Sequence, residues 1–161
     1  MGAAARLADL GLSLPPVALP VAAYVPAVRS GAYVHTSGQL PLVEGRLVAT
    51  GKVGADVTPE DAQGLARIAA LNALAAVAAV VERDGGPAGA AALDRIVRVV
   101  KVVGFVASDP AFTGQPAVVN GASLLLHDVL GEAGVHARSA VGVAVLPLDA
   151  PVEVEVVVEL A

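Results

Sequence analysis

Two adjoining stretches near the C-terminus decide the fold: His136-Ala137-Arg138-Ser139-Ala140-Val141-Gly142-Val143-Ala144-Val145-Leu146-Pro147, and then Pro151-Val152-Glu153-Val154-Glu155-Val156. Both are rich in β-branched residues, and Pro147-Leu148-Asp149-Ala150 between them carries turn chemistry. The expectation is a terminal hairpin, with strands over residues 137–146 and 152–160. In the second strand Val152, Val154 and Val156 alternate with Glu153 and Glu155. Successive side chains of a strand point to opposite faces, so one face is apolar and the other carries carboxylates.

Working back from there, residues 116–130 form an apolar stretch opened by Pro116 and closed by Gly131, which predicts a helix. Leu93 to Ala107 is rich in Val and Ile, interrupted only by Asp94, Arg95, Arg98, Lys101 and Gly104, and reads as a strand buried on at least one face. The longest helix starts at Thr58-Pro59-Glu60-Asp61. Thr58 is a good N-cap, Pro59 suits the first helical position, and Glu60 and Asp61 favour the positive helix end. Its apolar set, Leu65, Ile68, Ala69, Leu71, Ala75, Val77 and Val80, covers a wide stripe suited to packing on a sheet. Asp84-Gly85-Gly86-Pro87 ends it. Asn72 within it reads as a satisfied buried polar group.

Further upstream, residues 40–52 suggest a loop with a short strand. Residues 24–29 and 33–37 suggest two strands around a Ser30-Gly31 turn, with Tyr33 serving packing. Residues 3–11 suggest a short helix stopped by Gly11, and the Pro-rich run 14–20 cannot enter a sheet interior. The order ββ-α-β-α-ββ, without a repeat or a long linker, predicts one α+β domain. Residues 1–20 form an N-terminal extension and residues 21–161 the domain proper.

Composition bounds the function. The 161-residue chain carries 10 basic and 15 acidic residues, a net charge of −5. No basic stripe exists to neutralise phosphates, so no nucleic-acid partner is expected. There is no cysteine, which removes thiolate metal sites and cysteine nucleophiles. His35, His127 and His136 share no metal-ligand spacing, no nucleophile elbow is present, and Gly51-Lys52 lacks the phosphate-loop spacing, so no metal site, serine triad or phosphate loop is expected. The longest apolar run, Ile68 to Val81, is too short to span a bilayer and contains Asn72, so no membrane partner is expected either. The first ten residues lack the charged start and long apolar core of a secretory leader, and a cytoplasmic location is the default expectation. Hydrophobic residues make up 56% of the chain, more than a lone small domain can bury, and an oligomer would bury the rest.

The motifs together resemble one family. Arg138-Ser139-x-Val141-x-Val143-x-x-Leu146-Pro147 followed by Val152-Glu153-Val154-Glu155 resembles the closing signature of the RidA/YjgF family. Tyr24 through Val28, Gly31, and Ser37-Gly38-Gln39-Leu40-Pro41 resemble its earlier motifs. Phe112 with Val119-Asn120 resembles the motif before its second helix. The likeness covers about residues 20 to 159, and the extension and residues 84–92 suggest a longer subgroup.

The resemblance implies a chorismate-mutase-like fold, with two helices on one face of a mixed sheet, assembled as a homotrimer with three interface clefts. It implies cofactor-free hydrolysis of small imino or enamine carboxylates to 2-oxo acids and ammonia. Arg138 corresponds to the arginine that holds the substrate carboxylate, and Glu153 to the glutamate that positions the attacking water. Tyr24, Ser37, Gly38 and Asn120 match cleft residues, and the backbone N–H of Gly38 or Ala140 is a candidate for orienting the substrate.

The residue types suit this chemistry. Arginine offers a rigid two-point fork for a carboxylate, and one carboxylate suffices to deliver water to an electrophilic imine. A carboxylate-binding trimer without turnover needs the same arginine and is the alternative. Endoribonuclease activity fits the acidic charge less well. Gly142 and Val25-Pro26 depart from the family pattern. Because a regular hairpin would hold Arg138 and Glu153 roughly 20 Å apart, a shared site calls for Glu153 from a neighbouring subunit or for a distorted strand pair.

Overall fold

A computed structural model describes residues 1–17 and 23–161. The end of the Pro-rich run and the expected boundary at residue 20 lie outside the described residues. The chain folds as α1 (Ala3–Asp9), β1 (Ala27–Ser30), β2 (Tyr33–Thr36), β3 (Leu42–Val43), β4 (Arg46–Leu47), α2 (Pro59–Arg83), β5 (Ile96–Ala107), α3 (Gln115–Leu130), β6 (Ala137–Val143) and β7 (Val152–Leu160). The α+β expectation holds. A five-stranded mixed sheet in the order β1-β2-β7-β5-β6 carries α2 and α3 on one face.

The terminal hairpin does not form. β6 runs parallel to β5, with Arg138 opposite Val102 and Val143 opposite Ala107. β7 runs antiparallel on the other side of β5, with Glu153 opposite Phe105, and also pairs with β2. The chain leaves β6 beside the C-terminal end of β5 and crosses that end through a 3₁₀ turn over Pro147–Asp149. Leu148 and Asp149 take left-handed conformations there, and the crossing is tied down by Gly51 N–H to Asp149 O and Ala107 N–H to Pro151 O, both 2.9 Å. A central strand with two long apolar neighbours leaves fewer backbone groups unpaired than a two-stranded ribbon at the sheet edge would.

Local signals explain the helices. Thr58 Oγ1 accepts from Asp61 N–H at 3.1 Å, as its N-cap role requires. Gly131 ends α3 with φ +63°, a conformation that costs glycine little. By length and composition α2 could cross a membrane, yet 72% of its most apolar window is buried inside the protein; it is the core helix. Asn72 on it is 6% exposed and donates to the carbonyls of Leu40 (2.9 Å) and Leu42 (3.0 Å), pinning the loop that precedes the β3–β4 pair. Helices α2 and α3 meet at Gly121, where a Cβ would lie 1.9 Å from the Gln63 carbonyl oxygen.

Other boundaries differ from expectation. Residues 89–95 form a 3₁₀ segment before β5, residues 24–26 precede β1 without joining the sheet, and residues 42–47 form two short strands. Irregularities at Val97 and Val100 shift the register of β5 against β7 and turn both valines outward. Tyr33, expected to pack, is 43% exposed in the single chain. The N-terminal helix is part of the body: Ala3 and Leu7 join the core beside the 89–95 segment and α3.

Among the described residues no helix covers the second sheet face. Lys101, Val103 and Phe105 of β5 and Glu153, Glu155, Val157 and Glu159 of β7 line it, all half-buried.

Candidate functional site

The seven site residues inferred from sequence fall into two clusters. The first gathers on the uncovered face at the β2 end of the sheet. Thr36 ends β2, and its Oγ1 accepts from Val156 N–H at 3.0 Å. The chain then runs on beside β7, with Gln39 and Val154 exchanging two backbone bonds of 2.8 and 3.0 Å. Between these anchors sit Ser37 and Gly38. Ser37 Oγ donates to Val25 O at 2.7 Å, fixing the segment that holds Tyr24, itself 47% exposed.

Gly38 faces the Glu153 carboxylate so closely that a Cβ there would lie 1.8 Å from Oε1. No other residue type fits without moving that carboxylate. Burial pushes the Glu153 carboxyl above its ordinary value, and the nearby Glu155 charge adds to the effect. A carboxylate with raised basicity is suited to accept a proton from water.

The second cluster lies on the helix side. Arg138 is in β6 opposite the buried Val102, and its side chain reaches α3. Nη1 donates to Asn120 Oδ1 at 2.8 Å and to Ser123 Oγ at 3.1 Å, and Nη2 donates to Pro116 O at 3.2 Å. Asn120 thus touches Arg138 itself. Ala140, two residues along β6 and so on the same face, packs against the core. A cleft of about 360 Å³ opens here, lined in part by Arg138, Asn120, Ser123 and His136.

Ser123 and His136 are site residues that the sequence reading missed. Ser123 lies three residues after Asn120, hence on the same side of α3. His136 precedes Arg138 by two in extended chain, hence on the same side of it. Those spacings are the signal the sequence offers, and they point to neither a metal nor a triad role for the histidine. Among the described residues no cluster of His, Asp and Glu could hold a metal.

The two clusters do not meet within one chain. Arg138 and Glu153 flank β5 on opposite sides, three register positions apart. That puts their backbones about 14 Å apart by strand geometry, nearer than a regular hairpin would, but their side chains project from opposite faces. The Arg138 fork and the Glu153 carboxylate therefore cannot hold one small molecule in a single subunit.

The fold is an α+β domain with a mixed five-stranded sheet and two helices on one of its faces. The chain belongs to the YjgF/chorismate mutase-like endoribonuclease family, whose model matches residues 4–160. It is 46% identical to the protein TCP17 of Trypanosoma cruzi over 158 residues, covering 98% of this chain and 93% of that protein. The crystal structure of the protein Atu1372 from Agrobacterium tumefaciens superposes with a TM-score of 0.85 at 45% identity, covering 99% of this chain and 92% of that one. TdcF of E. coli, crystallised with bound serine, superposes at 0.59 with 26% identity, covering 92% and 94%.

Proposed function

We propose that this protein binds small imino or enamine carboxylates between subunits of a homotrimer and hydrolyses them to 2-oxo acids and ammonia. The observation that carries this reading is the split itself: an arginine anchored on α3 and a carboxylate of raised basicity, each at a surface and each lacking the other. Packing copies through the uncovered sheet face would bring the Tyr24–Ser37–Gly38–Glu153 cluster of one chain against the Asn120–Arg138–Ala140 cluster of the next. A closed heterologous ring gives every chain one donor and one acceptor surface. The serine bound to TdcF is a small amino acid with a carboxylate, consistent with this ligand class.

In the reaction, Arg138 grips the substrate carboxylate and keeps the C=N carbon facing Glu153. Ionised Glu153 takes a proton from water as the water oxygen bonds to that carbon. The C=N π pair moves to nitrogen, which takes the first proton back from Glu153. Glu153 then accepts the hydroxyl proton of the carbinolamine and passes it to nitrogen as the C–N bond breaks, giving the 2-oxo acid and ammonia. The imine is already electrophilic, so positioning supplies most of the acceleration.

The deciding experiment generates an imino acid in situ with an amino-acid oxidase and follows ammonia release by the full-length protein and its Arg138→Ala variant. Wild type should accelerate release, and the variant should lose at least about tenfold in carboxylate affinity with its charge-assisted bonds. Carboxylate binding without acceleration would make the protein a binding trimer instead. Equal release with and without wild-type protein, together with unchanged affinity in the variant, would discard both readings.

A further inference from the structure

Arg138 carries five N–H donors, and the structure spends them unevenly. Both Nη1 hydrogens are taken, by Asn120 Oδ1 and Ser123 Oγ. Nη2 gives one to Pro116 O. Among the described residues, the Nε hydrogen and the second Nη2 hydrogen have no partner. The Nε hydrogen shares one edge of the planar guanidinium with an Nη2 hydrogen, and that edge matches the two oxygens of a carboxylate.

The Ser123 contact does not end at the hydroxyl. Ser123 Oγ is 2.9 Å from His136 Nε2, and His136 Nδ1 lies 2.5 Å from Gly134 O. A carbonyl only accepts, so Nδ1 carries the proton and donates. Nε2 of the neutral ring is then an acceptor, and Ser123 donates to it while its oxygen accepts from Arg138. Burial first, and the Arg138 charge to a lesser extent, favour the neutral imidazole; the Gly134 bond opposes them in part, and the net value stays below the ordinary one. Every hydrogen in this chain of contacts therefore has a fixed direction. A backbone carbonyl rather than a carboxylate holds Nδ1, which distinguishes the pair from a serine nucleophile with its base.

We propose that Ser123 and His136 are positioning residues for Arg138: the relay from Nη1 through Ser123 Oγ and His136 Nε2 to the Gly134 carbonyl immobilises the guanidinium so that its Nε/Nη2 edge alone meets an incoming monocarboxylate. This rests on the carboxylate-binding reading above and adds the groups that select the geometry of the grip. The relay also ties α3 to the turn before β6, so the arginine is held from its helix side and its strand side at once.

The test uses the full-length protein, with pyruvate as the carboxylate probe, and two readouts. One is the NMR order parameter of the Arg138 Nε–H group without ligand; the other is pyruvate affinity by calorimetry. Ser123→Ala and His136→Phe should loosen the Arg138 group and weaken pyruvate about fivefold, the loss of one net hydrogen bond. Ser123→Thr and His136→Gln, whose Oε1 can replace Nε2 as acceptor, should restore both readouts. An Arg138 group equally ordered in Ser123→Ala and wild type overturns the relay, whatever happens to affinity, because a contact that only pins the loop would change stability alone. Pyruvate failing to bind wild type would instead count against the proposed ligand class, while Arg138 order would still decide the relay. Should His136→Phe fail to fold, Ser123→Ala, which removes a single oxygen, carries the decision.

Discussion

Glu153 holds its charge against its surroundings. Burial and Glu155 raise its proton affinity in the folded chain, so between the ordinary carboxylate value near 4.5 and the raised one the folded state binds more protons than the unfolded state. Stability attributable to this group therefore falls as pH rises through that window, and the ionised form present at neutral pH costs the fold something. Glu153→Gln should abolish turnover yet raise the thermal midpoint at pH 7, as ammonia release and calorimetric melting would show. A lower midpoint would mean that a cation from another subunit compensates the charge. Wild-type turnover should fall on the acid side at a pH above that of an ordinary carboxylate, since the base must be ionised.

Gly38 supplies the complementary probe. A methyl group there meets the Glu153 side chain from Oε1 in to Cγ, a side chain that can rotate away where backbone could not, so Gly38→Ala should cost stability less than a collision with backbone would. Displacing that base by an ångström or so should still cost turnover on the order of tenfold or more. Comparing melting with kcat separates the two effects.

Among the elements, the helix pair is where a small change should break the fold. At Gly121 the obstacle is the Gln63 backbone carbonyl on α2, which cannot swing aside as a side chain can. Gly121→Ala must push α2 and α3 apart and should destabilise by about 1–3 kcal/mol, read from the denaturation midpoint. The same pair of helices sets the site, because α3 presents Asn120, Ser123 and the Pro116 carbonyl to Arg138.

The elements themselves were readable from local chemistry. Thr58-Pro59 announced α2, the alternation of Val and Glu announced β7, and Gly131 announced the end of α3. Pairing was not readable in the same way. Turn residues at Pro147–Ala150 suit a tight hairpin and a crossing over the end of β5 alike. What separates the two is the long apolar β5, which pairs on both edges, and its partners depend on the whole layer.

For the molecule as a whole, the divided site makes a prediction that no single-chain site could satisfy. Arg138→Ala and Glu153→Ala chains, each inactive alone, should regain activity when unfolded, mixed and refolded together. In randomly mixed trimers with heterologous interfaces, roughly a quarter of the sites pair an intact Glu153 with an intact Arg138 of the next chain. Recovery near that fraction, with light scattering showing trimers, supports the shared cleft; no recovery from properly assembled mixed trimers would remove Glu153 from the reaction.

The sequence by itself determined the kinds of element, their order, and the two side chains with suitable chemistry, because caps, periodicity and residue type are local properties of the chain. Only the tertiary structure decided that β5 parts the terminal strands, that Arg138 and Glu153 face away from each other, and that Ser123 and His136 stand behind the arginine. These relations depend on which strands pair and on which face each residue falls. The packing of the whole sheet against α2 and α3 settles both, because a strand's neighbours are chosen by the combined burial of every apolar face rather than by the turn that leads into it.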